Sequence, residues 1–173
     1  LGRAPTDQIS FLPYVHNADS IGYNAAKIGT HDAYETETWG MLYDERFSGR
    51  VALVNAPTIG IFDAALAAEA TGAMRFGDIG NMSRAELDGL FDILIDLKTR
   101  GHFRGTWSSV PESVDYMQRD DVVVESMFSP AVAMLRGSGT RCIYAAPKEG
   151  YRAWHGVLCP VSYTHLRAHE TLL

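Results

Sequence analysis

"VVVESMFSPAVAML", residues Val122 to Leu135, sets an apolar run directly against a helix start. The three valines and Glu125 read as a buried strand over 122–125, since β-branched side chains pack well on a pleated surface. Ser129-Pro130 reads as the opening of a helix, where proline is tolerated because its missing N–H would have no intrahelical partner. In open α/β sheets ligands sit beyond the carboxyl ends of strands, where helix N-termini point. The junction Ser126 to Pro130 is therefore a site candidate.

The same grammar recurs along the chain. "SGRVALVN" predicts a turn and a buried strand ending at Asn55, and "APTIGIFDAALAAEATG" a helix with Pro57 in its first turn and Gly72 as its C-terminal stop. "MSRAELDGLFDILIDLKTRG" predicts the clearest helix, opened by a Ser83/Glu86 capping box and ended by Gly101. "HFRGTWSSVPESVDYM" predicts a short strand and a helix with Ser109 and Glu112 at capping-box spacing. Earlier, "FLPYVHNADSIGYNAAKIG" predicts two short strands joined by a polar turn, and Thr38 to Asp44 a short helix. "RCIYAAPKEGYRAWHGVLC" predicts two strands around a Pro-Lys-Glu-Gly turn. Strands alternating with helices predict an α/β fold with a mixed, mainly parallel sheet flanked by helices.

Composition narrows the function. The 173 residues are 46% hydrophobic and 21% charged, with 21 acidic against 15 basic residues and a net charge of −6. With no Lys/Arg cluster, nucleic acid and anionic membrane surfaces are poor partners. No apolar run approaches the roughly 18–20 residues of a spanning helix. Leu1 is not an initiator methionine, so the chain is expected to begin inside a longer one. No GxSxG elbow, Walker A loop, GxGxxG, HExxH or CxxC occurs. No catalytic constellation or cofactor site is expected: His16, His31 and His102 read as turn or surface histidines, and Asp120-Asp121 and Glu35/Glu37 as solvated loop carboxylates.

What recurs is a helix start with a small hydroxyl or amide residue near it: Asn55 to Thr58, Trp107-Ser108-Ser109, and Phe128-Ser129-Pro130. Each offers unpaired N–H donors and a positive dipole end, worth roughly 0.3–1 kcal/mol toward an anion at an exposed site. Asn55, Thr58, Ser108, Ser109 and Ser129 are candidate donors, with Trp107 and Phe128 as apolar or stacking surfaces. A hairpin about Glu149 to Tyr151 would bring Cys142 opposite Cys159, at a Cα separation of about 4.5 Å that a disulfide accepts. Two independent thiols are the alternative.

"SIGYN", "TWGMLYDERFSGRVAL", "LIDLKTRGHFRGTW" and "YAAPKEGYRAWHG" resemble the extracellular solute-binding proteins of ABC importers, nearest to the spermidine/putrescine-binding branch. The resemblance runs from Phe11 to Pro160. It implies a type II periplasmic-binding-protein-like lobe, with residues 1–30 as hinge-crossing strands and the end of a first lobe and 31–161 as the second α/β lobe. It also implies a small-molecule solute, a membrane permease as partner, a periplasmic location, a monomer when complete, and no enzymatic activity.

The departures bear on the ligand. Met127 and Pro130 stand where the polyamine binders have the Trp and Asp of a Trp-x-x-Asp motif, and His155 follows Trp154 where a second Asp is expected. Trp154 and His155 join the candidate ligand contacts, and the expected solute is anionic or zwitterionic. A polyamine binder, a sensory ligand-binding domain and an enzyme fragment of the same fold are the alternatives. The tail from Ser162 to Leu173 resembles translated sequencing-adapter DNA and reads as non-native. His165 and His169, at i, i+4 spacing, then carry no metal site.

Overall fold

The computed structural model describes residues 11–159, so the tail with His165 and His169 lies outside the described residues. The chain divides into two compact units, Asp19–Arg152 and a second one made of Leu1–Ala18 with Ala153–Leu173. The larger unit holds the second half of strand β1 (Leu12–Asn24), helix α1 (Ala25–Ile28), β2 (Val51–Val54), α2 (Pro57–Ala70), α3 (Arg84–Thr99), β3 (Phe103–Trp107), α4 (Val110–Gln118), β4 (Val124–Met127), α5 (Ser129–Gly137) and β5 (Cys142–Tyr144). In the smaller unit, β6 (Arg152–Leu158) pairs with β1.

The sheet order is β3-β2-β4-β1-β5. β2 pairs in parallel with both β3 and β4, and β1 runs antiparallel to β4 and β5. Four strands thus share one direction, and their carboxyl ends lie along one edge. The connection from β2 leads through α2 and α3 to β3, whereas that from β4 leads through α5 to β5 on the other side. The order of connections reverses between β2 and β4. This reversal is the topological switch point at which open α/β sheets leave a crevice.

Local chemistry explains the elements. Ser83 and Glu86 form the reciprocal capping box at the start of α3. That helix then anchors on Leu90 and Leu97, leaving Phe91 and Ile95 exposed; each fully buried side chain of this kind contributes about 1.5–3 kcal/mol over its exposed state. The small side chains Ala64, Ala65, Ala67 and Ala68 let α2 sit directly on the sheet and on the 3-10 turn Trp39–Tyr43. Gly60 is needed there, because a Cβ would strike the Val54 carbonyl oxygen. Val114, Met117, Met127, Ala131, Val132, Leu135 and Cys142 form a separate cluster around α4 and α5.

Several expectations need correction. The two strands expected in residues 11–24 are one continuous strand of 13 residues, exposed along its first half and buried from Asp19 onward. Pro13 is accommodated near the start, where a missing donor is least costly. β5 and β6 do not form a hairpin; both pair with β1. The Pro-Lys-Glu-Gly turn docks elsewhere: Glu149 accepts from the Trp39 N–H at 3.2 Å and from the Thr38 hydroxyl, and the Trp39 indole donates to the Gly150 carbonyl at 2.9 Å. The turn in "YAAPKEGYRAWHG" therefore docks on the first residues of "TWGMLYDERFSGRVAL". Both cysteines are free thiols, Cys142 buried and Cys159 exposed. His102 and Glu37 are buried rather than solvated. His102 Nε2 lies 2.9 Å from the Leu42 carbonyl oxygen, while Glu37 accepts from the Tyr23 hydroxyl at 2.7 Å and from the Ala146 N–H.

Candidate functional site

The ends of β2, β3 and β4 are knitted together at the edge that carries the switch point. Asn55 N–H donates to the Trp107 carbonyl at 2.7 Å, and its side-chain amide to the Ser108 hydroxyl at 3.3 Å. The Trp107 indole N–H donates to the Ser126 carbonyl at 3.1 Å. The Phe128 ring stands edge-to-face on Trp107, with centroids 5.1 Å apart. Trp107 is buried, so its role here is to hold up Phe128 and the end of β4. Asn55, Thr58, Ser108 and Ser129 are exposed along the edge, and Phe128 is half-buried.

The helix starts differ in one respect that matters for a ligand. α3 and α4 are capped by side chains, Ser83 and Ser109. At α4 the capping is doubled, because Glu112 also takes the Ser108 N–H at 2.7 Å. α2 and α5 begin at Ala56 and Phe128 with no side-chain cap. These two helices follow β2 and β4, the strands that flank the switch point. Pro57 and Pro130 carry no N–H and Ile59 and Ala131 donate to the Ala56 and Phe128 carbonyls, so Thr58 and Ser129 supply the N–H groups that no side chain caps, and the dipole of each helix adds to an attraction for negative charge.

Behind this edge lies a buried ion cluster that sequence reasoning missed. Asp63, two turns into α2, receives Arg152 Nε at 2.6 Å, and Arg152 Nη1 reaches Asp19 at 3.1 Å. The Ser126 hydroxyl lies against the Asp63 carboxyl, and burial pushes that carboxyl up to about 6 despite the guanidinium beside it. A signal was present, since Asp63 is the lone acid on the Ala-rich face of α2. Tyr144 completes the edge, accepting from the Ser20 N–H at 3.0 Å and donating to the Met127 carbonyl at 3.2 Å.

Trp154 and His155 are exposed on β6 in the smaller unit, apart in sequence and unit from the other candidates. Among the described residues no group of three His, Cys, Asp or Glu side chains is placed to hold a metal, and no helix is long and apolar enough to cross a membrane. An apolar groove of about 510 Å³ flanks Asn55, lined by Val54, Pro57, Ile61, Leu87, Phe91 and Leu94.

The mixed sheet flanked by helices is an α/β fold of the type II periplasmic-binding-protein kind. Among solved structures, the chain is similar to the spermidine/putrescine ABC transporter substrate-binding protein PotD of Streptococcus pneumoniae, at 18% identity and a TM-score of 0.64, covering 87% of this chain and 42% of that one. It is also similar to an ABC transporter protein of Clostridium perfringens, at 16% identity and 0.68, covering 93% and 48%. A third is the binding protein MotA of Agrobacterium tumefaciens in complex with glucopine, at 19% identity and 0.60, covering 78% and 40%. The chain spans less than half the length of each of these structures. No family model matches the chain, and no curated protein matches it.

Proposed function

We propose that this chain supplies the second lobe, residues 31–161, of the solute-binding component of an ABC importer, and that it takes a small carboxylate-bearing organic solute, anionic or zwitterionic. The observation that carries this reading is the pair of uncapped helix starts, α2 and α5, on either side of the switch point. Thr58 and Ser129 stand at those starts, with Asn55, Ser108 and Ser109 alongside as hydrogen-bonding groups and Phe128 as an apolar surface. Trp154 and His155, both exposed, remain candidate contacts.

A cationic polyamine fits this wall poorly. Desolvating an ammonium without a carboxylate partner costs several kcal/mol; Asp19 and Asp63 behind the edge are already engaged by Arg152, and Glu112 at the edge accepts from the Ser108 N–H. The partner is the importer's membrane permease, the compartment the periplasm, and the complete protein a monomer that captures its solute without chemistry. Neighbours of this fold take ligands as different as a polyamine and glucopine, so the wall rather than the fold selects the solute. Calorimetric titration of the two-lobed protein tests this: carboxylate-bearing solutes are expected to bind and spermidine and putrescine not. Micromolar polyamine binding without any carboxylate response would overturn it.

A further inference from the structure

Arg152 sits between two acids that come from different parts of the fold. Asp19 lies where β1 enters the larger unit, Asp63 on α2, and Arg152 where the chain leaves that unit. Arg152 Nε lies 2.6 Å from Asp63 Oδ1, and its Nη1 lies 3.1 Å from Asp19 Oδ2. The Asp63 side chain keeps 1% of its surface and that of Asp19 5%, against 12% for Arg152. Asp63 Oδ2 is buried and takes no hydrogen bond from Arg152, and two acids face this one guanidinium. Two carboxylates drawn this close in a dry interior repel strongly unless a cation stands with them. The chain provides that cation itself, in Arg152, the most exposed of the three side chains.

We propose that Arg152 is a built-in counter-cation and a specificity-determining residue: its guanidinium fills a carboxylate pair at the ligand edge of the sheet and thereby closes that pair to organic cations from solution. Removing the side chain opens a site of guanidinium shape, lined by Asp19 and Asp63 and reached along the path of the arginine stem. Arginine suits this role better than lysine, because its planar fork addresses two acids at once whereas an ammonium is a single point charge. The consequence for solute choice rests on the function proposed above, but the site itself does not.

The test is chemical rescue of Arg152→Ala in the full chain, read by thermal melting. Probes are guanidinium and methylguanidinium at low millimolar concentration, with sodium chloride and ammonium at matched ionic strength as controls. R152A is expected to melt below the parent, to be raised saturably by guanidinium and methylguanidinium but not by the controls, and to lose that response in the D63N/R152A double variant. The parent is expected not to respond, and R152K to melt between the two with no guanidinium response. If R152A is unfolded alone, recovery of its folded circular dichroism spectrum in millimolar guanidinium supports the proposal, and failure to recover at every sub-denaturing concentration overturns it. A parent that responds as R152A does, an R152A without saturable response, or an undiminished response in D63N/R152A also overturns it. No solute is involved, so this result stands apart from the calorimetry: rescue with no carboxylate binding would sink the functional reading alone, and carboxylate binding without rescue would sink this one alone.

Discussion

Asp63, on α2, and Glu125, in β4, are both fully buried carboxylates, and they are stabilised in opposite ways. Asp63, on α2, meets a guanidinium and stays within reach of ionisation, its pKa pushed up to about 6 by burial and held there by Arg152. Glu125, in the middle of β4, faces α4 and β5. It accepts from the Ser113 hydroxyl at 3.1 Å and has one oxygen without a partner. Burial drives its pKa well above the ordinary carboxylate range, which favours the protonated form. Leaving a buried carboxylate charged requires a cation; where the fold supplies none, the group keeps its proton. Only the first solution places charge near the edge where the helix starts open.

The largest expected effect comes from breaking the pair. Arg152→Met should lower stability by about 3–5 kcal/mol, the usual penalty for stripping one partner from a buried ion pair. Glu125→Gln, which keeps the neutral form that burial favours, should cost less than about 1 kcal/mol because only one hydrogen bond is perturbed. Urea denaturation of both variants measures the contrast, and equal losses would erase it.

Next in size is the dependence on pH. Each acid binds its proton more tightly folded than unfolded, so each contributes stability that falls as pH rises. For Asp63 the fall runs from its ordinary value of 3.8 to about 6, on the order of 3 kcal/mol across that window. For Glu125 it begins near 4.5 and continues upward. Urea midpoints across a pH series should show the first segment flattened in Asp63→Asn and the later one flattened in Glu125→Gln. Variants that keep the parent's slope in both segments would contradict the assignment.

A smaller effect moves α2 without touching charge. Gly60→Ala drives a methyl into the Val54 carbonyl oxygen and should cost about 1–3 kcal/mol, as overpacking does. A neutral result in thermal melting would mean that α2 can shift at its start without disturbing Asp63.

The smallest is a matter of reactivity. Cys142 lies on the Glu125 side of the sheet, and burial with the nearby Glu125 pushes its thiol up to about 12. Alkylation of the native chain near neutral pH should label Cys159 alone, with Cys142 reacting only in denaturant. Equal labelling of both would show that the Glu125 side of the lobe is open.

Much of the frame was legible because periodicity and capping are local. The Ser83/Glu86 box, the apolar spacing of α3, the Ala-rich face of α2 and the junction at Ser129 each state their structure within a few residues. Long-range pairing was not. Nothing within residues 141–159 says that β5 and β6 will both choose β1 over each other, because the turn between them is held by Thr38 and Trp39. Nor does spacing reveal that Asp19, Asp63 and Arg152 meet, since they are separated by most of the chain. The trace they left was compositional: a lone acid among alanines in "FDAALAA" and another inside "VVVESM". A charge at a position that the pattern requires to be buried points to a partner or to a retained proton, and only the fold tells which.

The central claim is that the open starts of α2 and α5, with Asp19 and Asp63 held by Arg152, make this edge a seat for carboxylate. Nuclear magnetic resonance titration of the labelled chain addresses it most directly, because amide shifts detect even weak binding to a single lobe. Small amino-acid carboxylates should shift the amides of Thr58, Ser109 and Ser129 in a saturable way, with spermidine leaving them in place. Saturable shifts of those amides by spermidine, with none from the carboxylates, would contradict the account.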